Sequence, residues 1–315
     1  HPWEELEREE VIHPASRTHP MRSVAAPRAC GGGFQTSFIF CEFRGECHSS
    51  AMGGWTDLSV RADPDNPHAL REHLATSVVL GYATVAADTR VTAGDKSCGR
   101  DITRGLDPLL TKELESAVLA DASAQGARPA LALLTRLTIR FGEPGELQTL
   151  LKTHDESVRR YDVLALEPTS ERALASACAS RRCDLIALQL GARMPFRLRA
   201  GAVKAASANG IAFEVAYNPA LMETTSRRNF FANASAVARA CGGGGDAGAK
   251  DGTGGVVVIT GASRQATELR GPHDVVNLAT MFGMKDGDAR RALSARCDAV
   301  VARARRRKAA EADAN

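Results

Sequence analysis

From residue 52 onward, short apolar stretches recur along the chain at 55–60, 82–87, 131–141, 162–167, 184–190, 211–217 and 256–260. Runs of this length, bounded by turn-forming residues, read as buried strands. Between most of them lie stretches of helical period, at 67–80, 143–154, 170–181, 201–208 and 220–241. Strand and helix in alternation predict parallel strands joined by right-handed crossovers. Seven such units fit an α/β, TIM-like barrel of about seven parallel strands with surrounding helices. A doubly wound open sheet is the alternative, because alternation alone does not show closure. Two helices are expected after the last strand, over 273–282 and 286–302, with Gly283 as a stop and Asp286 as an N-cap.

Three segments break the rhythm. Residues 1–51 carry an acidic opening, a Gly31-Gly32-Gly33 run and no period long enough to assign; they read as a disordered or artefactual extension ahead of Met52. Residues 88–130 are longer than a simple connection and hold one helix candidate, 111–123. Residues 242–255 are glycine-rich and lack the Gly-Lys-Ser/Thr ending of a phosphate loop. The expected organisation is a barrel domain over 52–302 with flexible insertions at 88–130 and 242–255, followed by a basic, disordered tail over 303–315.

Composition narrows the class. The 315 residues carry 40 Lys+Arg against 37 Asp+Glu, so charge excludes neither nucleic acid nor an acidic partner. No apolar run is long enough to span a bilayer, and residues 3–10 do not form a secretory leader. None of the eight cysteines has the two-residue spacing of a zinc knuckle or redox dithiol. Cys41, Cys47 and His48 come nearest to a metal cluster and lack a fourth ligand. The chain reads as a soluble intracellular protein with reduced thiols.

Barrel enzymes keep their chemistry at the carboxyl ends of the strands. Those ends offer Ser59, Arg61, Asp88, Arg90, Arg140, Glu167, Gln189, Tyr217, Asn218, Ser263 and Arg264. The histidines a metal-dependent barrel hydrolase would place there are elsewhere: His68, His73, His154 and His273 fall in helices or their flanks. Period-2 counting sets Asp57, Arg136 and Glu214 opposite the larger apolar residues of their strands, so all three should point into the lumen. One arginine between two carboxylates reads as an internal ion-pair network before it reads as an active-site remnant. Cations gather elsewhere. Arg227 and Arg228 follow Thr224-Thr225-Ser226 at a helix start, a place suited to phosphate; Arg264 and Arg270 follow the seventh strand; Arg305, Arg306, Arg307 and Lys308 lie in the tail. These eight are the expected RNA or partner contacts.

At these residues the sequence resembles the p30 protein subunit family of eukaryotic and archaeal ribonuclease P and the related RNase MRP. The resemblance runs from Trp55 to about Ala302. Its carriers are Thr56-Asp-Leu-Ser-Val-Arg61, Leu134-Thr-Arg-Leu-Thr-Ile139, Tyr161-Asp-Val-Leu-Ala165, Met194-Pro-Phe196, Gly210-Ile-Ala-Phe-Glu-Val-Ala-Tyr-Asn-Pro219 with Arg227-Arg228, and Leu269-Arg-Gly-Pro-His-Asp-Val275 leading to Asn277-Leu278 and Phe282-Gly283. It implies a barrel like that of polymerase-and-histidinol-phosphatase domains, without their metal ligands. It also implies a non-catalytic subunit that binds the RNase P or MRP RNA, pairs with a small partner subunit and other particle proteins, and meets precursor tRNA only indirectly. Catalysis would lie with the RNA and its Mg²⁺, this chain holding no cofactor, in the nucleus and nucleolus. The alternative is a metal-dependent phosphoesterase that gathers a divalent ion on Asp57, Glu167 and Glu214 without histidine help.

Overall fold

Asn66, ahead of the first helix, accepts a hydrogen bond from the Ala69 backbone N–H, and Pro67 fills the first helical position where no donor is needed. Local signals of this kind set several element boundaries in the computed structural model, which describes residues 54–62, 66–104, 108–124, 131–242 and 256–313. The expected N-terminal extension, the cluster Cys41, Cys47 and His48, and residues 243–255 of the glycine-rich insertion lie outside the described residues.

The elements run β1 (Trp55–Arg61), α1 (Pro67–Val79), β2 (Tyr82–Thr92), α2 (Cys98–Arg104), α3 (Pro108–Ala124), β3 (Ala132–Phe141), α4 (Pro144–Thr153), α5 (Asp155–Arg160), β4 (Val163–Pro168) and α6 (Glu171–Ala179). Then come β5 (Leu185–Ala187), α7 (Ala200–Ala208), β6 (Ala212–Ala216), α8 (Asn218–Leu221), α9 (Thr224–Ala240) and β7 (Val257–Thr260). After a 3-10 turn at Ala266–Glu268 the chain ends its described part in α10 (Pro272–Met281), α11 (Asp286–Ala292) and α12 (Ala295–Asp313). All seven expected strands are present, paired parallel in the order β1 to β7. The ring nearly closes: β1 meets the chain just past β7 through a Val60–Ser263 bridge, with Arg61 N–H donating to Ser263 O at 3.0 Å.

Three expectations need correction. The 88–130 segment is not one flexible insertion, because β2 continues to Thr92 and two helices, α2 and α3, follow. The last helix does not run unbroken over 286–302. It breaks after Ala292, where Leu293 O accepts a hydrogen bond from Thr56 N–H at 2.8 Å, and Asp286 is its first residue, with Lys285 as the cap. The basic tail is ordered: residues 303–313 are the second half of α12.

α12 explains its own order. Cys297, Val300, Val301 and Ala304 form one face, and it packs on Leu58, Ala86, Leu134, Val163, Ala165, Leu185, Ala212 and Val258, at least one residue from every strand. The helix therefore caps the amino-terminal end of the barrel and completes its inner core. The outer core lies between the sheet and the surrounding helices, with Leu137, Ile139, Leu164, Phe213, Val215, Phe230 and Phe282 among its members. Among the described residues no helix is long and apolar enough to cross a membrane.

Candidate functional site

Above the apolar floor of the barrel lies a polar layer. Arg136 on β3 is fully buried. Its guanidinium donates to both carboxylate oxygens of Glu214 on β6, at 2.5 and 2.7 Å, and to the Leu58 carbonyl at 2.8 Å. Nε donates to Thr138 Oγ1 at 3.0 Å and lies 3.4 Å from Asp88 Oδ1. Asp88 also accepts from Ser59 Oγ, Thr138 Oγ1 and Arg90 Nε. Burial pushes the Asp88 carboxyl upward, but Arg136, Arg90 and the two hydroxyls outweigh it and hold it below the usual carboxylate range.

The arginine thus does sit between two carboxylates, but the second is Asp88 and not Asp57. The cause is a bulge in β1. Three steps from Asp57 to Val60 match two steps on β2, from Val85 to Ala87, and one extra residue reverses the period-2 count. Asp57 lies instead at the β1–β7 seam, where it accepts from Gly261 N–H at 3.0 and 3.1 Å and from Ser59 N–H at 3.0 Å. Burial raises its carboxyl to about 7, against the pull of those two N–H groups.

The carboxyl end of the barrel opens into a pocket of about 280 Å³ whose lining includes Arg61, Arg90, Glu167, Gln189, Ser226 and Arg264. Glu167 is held by Arg90 Nη1 at 3.1 Å and Gln189 Nε2 at 2.8 Å. The three carboxylates that a metal-dependent phosphoesterase would need are therefore tied to separate partners: Asp57 to the seam, Glu214 to Arg136, Glu167 to Arg90 and Gln189. Among the described residues no group of three or more His, Cys, Asp or Glu side chains is placed to hold a metal ion.

The candidate contacts divide by what they touch. Arg227 donates to the Ala220 and Met222 carbonyls, and Arg270 to those of Thr267 and Leu269, so both brace the loops at the barrel mouth. Arg228 and Arg264 are exposed, and only the backbone N–H of Arg264 is engaged, by Glu268. At the opposite end Arg307 is 9% exposed, bound to Asp184 at 2.8 Å and Glu311 at 3.3 Å, and so fastens α12 to the barrel. Lys308 pairs with Asp162 at 2.9 Å. Arg305 and Arg306 face solvent.

Around Arg306 the structure assembles a surface that residue-by-residue reading missed. A groove of about 460 Å³ is lined by Arg159, Arg181, Arg182, Arg303, Arg306 and Arg307, with Ala310 and Glu311. Asp184 anchors Arg303 at 2.5 Å as well as Arg307, while Arg182 reaches Asp155 at 2.6 Å and Glu311 at 3.2 Å. Six arginines against three carboxylates leave the groove cationic. The Arg181-Arg182 pair just ahead of a strand was a signal in the sequence, but its meeting with α12 spans more than a hundred residues of chain.

Comparison with known proteins bears on these features. The family profile described as RNase P subunit p30 matches residues 54–309. The chain is 32% identical over 259 residues to ribonuclease P protein subunit p30 of Mus musculus, covering 82% of this chain and 89% of the mouse protein. It is 29% identical to the probable ribonuclease P protein subunit 3 of Schizosaccharomyces pombe, over 48% of this chain and 59% of that one. It is also 27% identical to the ribonuclease P/MRP protein subunit RPP1 of Saccharomyces cerevisiae, over 53% and 52%. Among solved structures, a chain from the cryo-EM structure of archaeal ribonuclease P with mature tRNA is similar at TM-score 0.48 and 12% identity, over 80% of this chain and 90% of that chain. With its profile match spanning the barrel from β1 into α12, the chain belongs to the RNase P subunit p30 family.

Proposed function

We propose that this chain is a non-catalytic protein subunit of the ribonuclease P ribonucleoprotein, holding the catalytic RNA through phosphate contacts while the RNA cleaves precursor tRNA at its 5′ end. The observation that carries the proposal is the cationic groove at the α12 end, where Arg181 and Arg306 present guanidinium groups to solvent beside arginines already fixed by Asp184 and Glu311. Phosphate contacts of this kind position an RNA without reading its sequence. Arg306 on α12 and Arg181 line this groove, and Arg305 is exposed next to Arg306 in the chain. Arg228 and Arg264 at the barrel mouth are a second place for RNA or partner contact.

Several supports extend the reading. The scattered ties of Asp57, Glu167 and Glu214 count against the phosphoesterase alternative, since oxygen-only ligation of a divalent ion needs carboxylates that converge. Divalent metal then belongs with the RNA. The relatives named as subunits of ribonuclease P and of ribonuclease P/MRP support further partners: a small protein subunit, other particle proteins, and membership of an MRP particle acting on ribosomal RNA. A nuclear and nucleolar location follows from such a particle.

The test is binding of purified full-length chain to RNase P RNA across a salt series. Replacing Arg305 and Arg306 together by Ala should weaken binding and reduce the slope of log K against log salt by about 2. An unchanged slope would remove α12 from the interface.

A further inference from the structure

Three arginines converge at the barrel mouth. Arg61 ends β1, Arg90 lies on β2 and Arg264 sits in the turn after β7, and all three line the same pocket. The nearby carboxylates are already engaged. Asp88 is shared by Arg90 and Arg136, Glu167 is held by Arg90 and Gln189, and Glu214 is held by Arg136 and Thr260. Arg61 is left over. Its Nε is buried without a hydrogen-bond partner, an arrangement that costs free energy unless an acceptor arrives. Burial, and then the charge of Arg90, lower this guanidinium to about 10, against the opposing pull of Asp88. Such crowding of cations is relieved by an anion between them.

The turn that presents Arg264 is itself unusual. Ala262, which also lines the pocket, has φ +47°, the left-handed region that a residue with a Cβ rarely enters. A pocket of about 280 Å³ is at the small end of ligand sites. It suits one compact oxyanion and its hydration, and guanidinium groups match phosphate oxygens in geometry.

We propose that the carboxyl-end mouth of the barrel is a phosphate-binding site, with Arg61 and Arg264 as the ligand-contacting residues and Arg90 as a cation held in place by Asp88 and Glu167. The phosphate is either free, as inorganic phosphate or a nucleotide's monoester, or it is a backbone phosphate of an RNA. The proposal does not rest on the RNA interface at α12, which lies at the opposite end of the barrel.

Calorimetric titration of the full-length chain with inorganic phosphate, at constant ionic strength made up with chloride, tests it. Wild type should bind saturably with one site. Arg61→Gln should weaken binding about tenfold or more, as expected for loss of a charge-assisted bond, while Arg172→Gln on exposed α6 should change nothing. Arg264→Gln, on a surface turn, provides the same reading if Arg61→Gln does not fold. No saturable binding by wild type, or equal loss in Arg172→Gln, would overturn the proposal. The source is then read from RNA binding. A lower salt slope for Arg61→Gln identifies an RNA phosphate, and an unchanged slope beside lost phosphate binding identifies a free one.

Discussion

Replacing Arg136 by Leu is the sharpest perturbation of the barrel interior. Arg136 is fully buried, and its loss removes both hydrogen bonds to Glu214, the bond to the Leu58 carbonyl and the bond to Thr138. Asp88 keeps Arg90 at 2.9 Å, but Glu214 keeps only the Thr260 hydroxyl at 2.7 Å. Stranding one member of a buried ion pair costs roughly 3–5 kcal/mol. That is a large share of the about 5–15 kcal/mol that holds a domain together. At about 2–4 °C per kcal/mol for a domain of this size, Tm should fall by roughly 6–20 °C. The double variant Arg136→Leu with Glu214→Gln should regain at least half of the loss, because the stranded charge is gone. Urea denaturation followed by circular dichroism, read as a double-mutant cycle, measures both. A loss below about 1 kcal/mol, or no recovery in the double variant, would refute the reasoning, since either means that Glu214 is not stranded when Arg136 leaves.

Three further outcomes follow from the same geometry. Asp57, raised to about 7 against an unfolded value near 3.8, binds its proton more tightly when folded, so its contribution to stability falls as pH rises from about 4 to about 7. Asp57→Asn should remove that slope, worth about 4 kcal/mol at most, and the difference between the two stability–pH curves measures it; parallel curves would contradict the seam assignment. Asp184→Ala removes the carboxylate shared by Arg303 and Arg307 and should lower hydrogen-exchange protection along α12 before the rest of the barrel. Ser170→Ala removes the side-chain cap of α6, which accepts from Ala173 N–H at 3.1 Å, and should cost about 1 kcal/mol in the same denaturation assay.

The parts of this fold that could be read from sequence are those decided by neighbours in the chain. The strands show as short apolar runs because both of their faces are buried, and Gly283 ends α10 as expected, with φ +98°. β2 runs past its apolar residues because Asp88 and Arg90, polar side chains typical of a loop, are met by Arg136, Ser59 and Glu167 from other strands. Asp57 was misplaced by the β1 bulge, which leaves no mark in the composition of Thr56-Asp-Leu-Ser-Val-Arg61. The arginine-rich tail repels itself in isolation; Asp184 and Asp162, far earlier in the chain, neutralise it and let α12 dock. Assembly of the arginine groove was hidden for the same reason, since electrostatic partners separated by more than a hundred residues carry no local signature.

Recovery of the tagged full-length chain from its own cells, with and without ribonuclease treatment, tests the central claim most directly. The account predicts that RNase P RNA is enriched before treatment, that the eluate cleaves precursor tRNA at its 5′ end, and that both are lost after treatment. No enrichment of that RNA, together with phosphoester hydrolysis by the purified chain and a divalent ion alone, would contradict it.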